Sequence, residues 1–137
     1  MRKIEHLGIA VKDIKASNQI FEDLLGVAPY KEEEVKSEHV LTSFFQIGES
    51  KIELLQATNE SSAIHKFIEK KGEGIHHIAF DVEDIYYEID RLKEKGYVMI
   101  HNEPKNGADN KLIAFLHPKS SNKVLVELCQ DRPSTRD

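Results

Sequence analysis

Four residues of this chain could together hold a divalent cation: His6, Glu53, His77 and Glu127. Two imidazoles and two carboxylates suit a six-coordinate ion, with positions left for water or substrate. Mixed nitrogen and oxygen ligation fits Co, Ni, Mn, Fe or Zn, and the donor types do not choose among them. Taken singly, either histidine reads as well as a packing residue as it does as a ligand, and either glutamate as well as an edge charge. Their weight lies in their arrangement, because each has a counterpart in a repeated segment.

The segment IEHLGIAVKDI (4–14) aligns with IHHIAFDVEDI (75–85), which puts His6 over His77. Further on, KIELLQ (51–56) aligns with LVELCQ (125–130), which puts Glu53 over Glu127. Strand alternation then sorts the faces. Leu7, Ile9 and Val11 share a bulky side that should pack on a helix, while His6, Gly8 and Ala10 share the other. In the second copy Ile78, Phe80 and Val82 oppose His77 and Ala79. Ile52 and Leu54 turn inward and leave Glu53 outward, as Val126 and Leu128 do for Glu127. Each copy therefore sets one histidine and one glutamate on the same small-residue face.

The elements that must position them follow from caps and periodicity. Asp13 and Asp84 are suited to cap helices over about 14–24, ending at Gly26, and about 85–95, ending at Gly96. Ile64, Phe67 and Ile68 give a narrow apolar stripe to a linking helix over about 61–71. Each repeat reads strand–helix–strand–strand–strand. The expected fold class is α+β, with repeat one over about 3–58 and repeat two over about 74–130. One domain over 1–131 and a flexible tail over 132–137 complete the expected organisation.

The remaining candidates carry less. His76 falls by alternation on the helix-facing side and is assigned to structure. Cys129 shares the face of Glu127, but a buried thiol usually serves packing. His39, His65 and His101 have no repeat partner and read as surface or loop. His117 stands in the turn His117-Pro118-Lys119-Ser120, directly before the Glu127 strand. Lys31-Glu32-Glu33-Glu34 reads as a solvated loop or strand edge.

A net charge of −5 without a lysine or arginine cluster argues against nucleic acid as the main partner. The first apolar stretch is too short for a signal or spanning segment, so neither a membrane nor export is expected. A single cysteine fits a reducing, cytoplasmic compartment.

HLGIAV (6–11), KIELL (51–55), GIHHIAF (74–80), FLHPK (115–119) and VLVEL (124–128) resemble the vicinal oxygen chelate superfamily and, within it, the methylmalonyl-CoA epimerases. The resemblance covers residues 3–130. It implies two tandem βαβββ modules forming a curved mixed sheet around a metal-centred cleft, usually in a homodimer. It implies one divalent metal per chain, with Co the first expectation for activity and Ni, Mn, Zn or Fe also possible. Carried over by position, His6, His77 and Glu127 match the family's ligands, and Glu53 matches a position that holds glutamine in some epimerases. The implied reaction interconverts (2R)- and (2S)-methylmalonyl-CoA through a metal-stabilised enolate. A base is needed near each face of the carbon, and Glu127 and Glu53, related by the repeat, are the candidates. Lys119, with Ser120 beside it, is a candidate for binding the acyl-CoA substrate.

One departure stands out. Some epimerases carry a catalytic glutamate on the strand before Glu53, where this chain has Thr42, which cannot act as a base. Glyoxalase I is the main alternative, since the same ligands serve it. The His-Pro-Lys turn tilts the reading toward the epimerase. A metal-free antibiotic-binding protein has no need of four ligands, and a ring-cleaving dioxygenase would leave Glu53 surplus.

Overall fold

The computed structural model describes residues 1–132, and positions 133–137 of the expected tail lie outside the described residues. The chain divides into two compact units, one of residues His6–His76 and the other of Met1–Glu5 with the chain from His77 onward. The divisions fall at Glu5/His6 and His76/His77, immediately before the two repeat-related histidines.

The first unit takes in most of β1 (Lys3–Ala10), then α1 (Ile14–Leu25), β2 (Lys31–Val35), β3 (Val40–Ile47), β4 (Ser50–Ala57) and α2 (Ala63–Lys71). β2, β3 and β4 pair antiparallel in sequence order, and β4 pairs parallel with β1. The Asp13 carboxylate accepts from the amides of Lys15 and Ala16, which starts α1 at the residue its spacing predicts. Gly26 ends it at φ 77°, a left-handed conformation that costs glycine no Cβ clash. Ile14, Phe21 and Leu25 of α1 pack on Ile9, Val11, Ile52 and Leu54, the bulky strand faces expected there. On the opposite face Ile64, Phe67 and Ile68 of α2 cover Ala10, Val40 and Leu55. α2 therefore closes one end of the face that carries Glu53.

The second unit repeats the scheme. It holds most of β5 (Gly74–Asp81), then α3 (Ile85–Glu94), β6 (Lys105–Asn106), β7 (Lys111–Leu116) and β8 (Val126–Asp131). β6–β7 and β7–β8 are antiparallel, and β5–β8 is parallel. Asp84 caps α3, whose Ile85, Ile89 and Leu92 pack on Val82, Val126 and Leu128. The correspondence reaches single hydrogen bonds. The amide of Ile14 donates to Gln56 Oε1 and that of Ile85 to Gln130 Oε1, both at 2.7 Å. Each glutamine thus ties a helix start to the strand bearing the glutamate. Among the described residues no helix is long and apolar enough to cross a membrane.

Candidate functional site

The parallel pairing in each unit explains how a histidine and a glutamate meet. On β1 and β4, Gly8 is the register partner of Glu53. On β5 and β8, Ala79 is the register partner of Glu127. A residue without a bulky side chain opposite each glutamate leaves room for the carboxylate to swing toward the histidine two positions earlier on the same face. His6 Nδ1 lies 3.1 Å from Glu53 Oε2, and His77 Nε2 lies 3.0 Å from Glu127 Oε1. Both pairs are buried, with every one of the four side chains at most 7% exposed. Burial of carboxylates at this depth is costly unless each is matched by a donor or a cation.

These distances test whether the donors fit a metal. An imidazole-to-carboxylate hydrogen bond has this length. So has the edge of an octahedron whose ligands stand about 2.1 Å from its centre, an edge of about 3.0 Å. Each pair thus already spans the separation that two neighbouring ligands of one ion require, and the donor set is the nitrogen–oxygen mixture expected. The residues fit.

The surroundings differ between the units. The His77 and Phe115 rings make a T-shaped contact, with centroids 5.6 Å apart. This neighbour follows from the register, because Phe115 is opposite Glu127. Its position in the first unit is taken by Phe44, opposite Glu53, with Tyr30 5.7 Å from it. Neither aromatic was singled out from the sequence, although both alternate onto the glutamate face. His76 packs edge-on against Phe67 at 5.0 Å, in keeping with the structural role expected of it. Cys129 is fully buried among Ala79, Ile113 and Phe115.

Other candidates stand outside these pairs. Lys119 is exposed, and its amide donates to His117 Nδ1 at 3.1 Å. Ser120 Oγ accepts from the Val98 amide at 3.1 Å, so the hydroxyl helps to hold the turn. Thr42 is 1% exposed, opposite Leu55 on one side and Glu33 on the other. Of the two readings of that charged run, loop or strand edge, the second holds: it is β2, an edge strand, where Lys31, Glu33 and Val35 face one way and Glu32 and Glu34 the other. At the far end of β5, Arg2 Nε donates to Asp81 at 2.8 Å, and this carboxylate holds the guanidinium pKa above its ordinary value.

Known proteins resemble this chain in sequence and in fold. A family model described as Glyoxalase/Bleomycin resistance protein/Dioxygenase superfamily matches residues 5–115. The ethylmalonyl-CoA/methylmalonyl-CoA epimerase of Cereibacter sphaeroides is 42% identical over 93% of this chain and 97% of its own length. YqjC of Bacillus subtilis, an uncharacterised protein, is 39% identical over 96% of this chain and 94% of its own. The methylmalonyl-CoA epimerase of Streptomyces coelicolor, solved in complex with 2-nitronate-propionyl-CoA, superposes with a TM-score of 0.93. It is 32% identical, and the match covers 97% of this chain and 99% of that one.

Proposed function

This chain belongs to the glyoxalase/bleomycin resistance/dioxygenase superfamily, the vicinal oxygen chelate fold, and from that premise we propose that it is a methylmalonyl-CoA epimerase. The observation that carries the reading is the buried histidine–glutamate pair present once in each module. It occurs in a chain that aligns almost end to end with an epimerase named for this substrate. We assign His6, Glu53, His77 and Glu127 as the ligands of one divalent cation, cobalt first. The homodimer expected from the family is part of the same proposal.

The substrate carbon lies between a thioester and a carboxylate, so its proton is acidic enough to leave when charge on the thioester oxygen is stabilised. A bound cation supplies that stabilisation as a Lewis acid. The protein's own task is to move protons on both faces of the carbon. Glu127 takes the proton on one face. Glu53, its repeat-related counterpart, is the candidate for the other face, and as an assigned ligand it would have to loosen from the cation to accept a proton. Burial excludes water from both pairs and keeps them aligned. Lys119, with Ser120 in the same turn, is assigned to the CoA portion.

The test is direct. Purified protein loaded with cobalt is given (2S)-methylmalonyl-CoA, and the appearance of the (2R) form is followed by coupling to an enantiomer-specific enzyme. The hemithioacetal of methylglyoxal and glutathione is assayed alongside. Interconversion of the CoA thioester is expected. Turnover of the hemithioacetal alone would move the assignment to glyoxalase I.

A further inference from the structure

β2 pairs with β3 only at one edge of the first unit's strands, yet it brings a carboxylate to the face of Glu53. Directly opposed residues of antiparallel strands point the same way. Lys31 is opposite Phe44, Glu33 opposite Thr42, and Val35 opposite Val40. Across β4 the same rows continue to Glu53, Leu55 and Ala57. Two contacts fix this orientation independently. Val35 packs with Val40 and Leu55 under α2, and the Lys31 ammonium lies 5.1 Å from the centroid of the Phe44 ring. Glu33 Oε1 is 3.4 Å from that ammonium, and its side chain is 35% exposed.

Among the described strand residues of this unit, Glu33 and Glu53 are thus the carboxylates on this face. They are not equivalent. Glu53 is buried, with its Oε2 3.1 Å from His6 Nδ1. Glu33 is open enough to meet a ligand, and its neighbour Thr42 is sealed beneath the surface. Side chains of opposed residues start about 4.5–5.5 Å apart, a gap that the longer glutamate spans where threonine has no proton-accepting group.

We infer that Glu33 is the proton carrier on the first module's side of the substrate, in place of Glu53. The inference rests on the epimerase reading. From one enantiomer the Glu33 carboxylate takes the C2 proton, and the C–H electron pair becomes the enolate, its charge on the thioester oxygen. Protonated Glu127 then delivers its proton to the opposite face. From the other enantiomer the roles reverse, and no oxidant or reductant is consumed. While Glu33 is protonated its ion pair with Lys31 lapses, a small cost for a half-exposed pair.

The experiment follows each enantiomer separately in D2O with the cobalt-loaded protein, reading C2 exchange by NMR and configuration by chiral analysis. Glu33→Gln keeps the shape of the side chain on an edge strand, and its melting temperature checks folding. Epimerisation is expected to fall by about 10²–10⁴-fold, the usual contribution of a positioned acid or base. One enantiomer should still exchange C2 with retention, through Glu127, and the other should not exchange. Near-normal epimerisation by Glu33→Gln overturns the inference and leaves the epimerase reading intact. So does retention-only exchange in Glu53→Gln, or an equal loss of exchange for both enantiomers in Glu33→Gln. A wild-type protein that exchanges neither enantiomer removes both readings.

Discussion

Gln130→Leu deletes one acceptor and leaves the amide of Ile85 without a partner at the start of α3. Ile85 itself is fully buried, so water does not readily replace the lost bond. Leaving a buried donor unsatisfied costs about 1–3 kcal/mol. Unfolding entropy near the melting temperature is about 2.1 cal/mol/K per residue, or about 0.29 kcal/mol/K for 137 residues. The melting temperature should therefore drop by about 3–10 °C. Gln56→Leu should do the same in the first unit, because its bond to the Ile14 amide has the same length. Gln130→Glu is the control. It keeps an acceptor and puts negative charge at a helix N-terminus, so it should stay within about 1 kcal/mol of wild type. Calorimetric scans of the variants decide the matter. Equal losses for Gln130→Leu and Gln130→Glu would show that the acceptor offered to the Ile85 amide is not what ties helix to strand.

Leu128→Ala empties a fully buried position between β8 and α3 and should cost about 2–5 kcal/mol in urea unfolding. Glu53→Gln should lower cobalt content, measured by atomic absorption, because its Oε2 beside His6 is an assigned ligand atom. Full metal with near-normal epimerisation would remove Glu53 from the site. Lys119→Ala should raise KM for the CoA thioester severalfold with little change in kcat, and an unchanged KM would take Lys119 out of substrate binding.

Much of this architecture was legible because it is written twice. The match of His6-Leu7-Gly8 to His77-Ile78-Ala79 gave register, helix positions and the faces of Glu53 and Glu127 at one stroke. Asp13 and Asp84 cap where expected since both precede an apolar period of helical spacing. Alternation put each glutamate on a histidine's face, but it could not say which of the two histidines each would meet. That depends on strand pairing, and the parallel β1–β4 and β5–β8 registers settle it within each unit. β6 left no signal, because two residues between irregular turns carry no period. Glu33 was hidden for a different reason. A run of like charges reads as solvent-facing, and only the pairing of β2 with β3 shows that every second charge turns toward Thr42 and Phe44.

The central claim is metal-assisted proton exchange at C2 of methylmalonyl-CoA, with the two histidine–glutamate pairs as the assigned holders of the metal. Its most direct test incubates the substrate with the protein in D2O, before and after stripping with chelator and again after refilling with cobalt, and follows the C2 proton by NMR. The account predicts rapid loss of the C2 signal with metal, no loss beyond the uncatalysed rate without it, and recovery on refilling. Exchange that persists unchanged in fully stripped protein would contradict it.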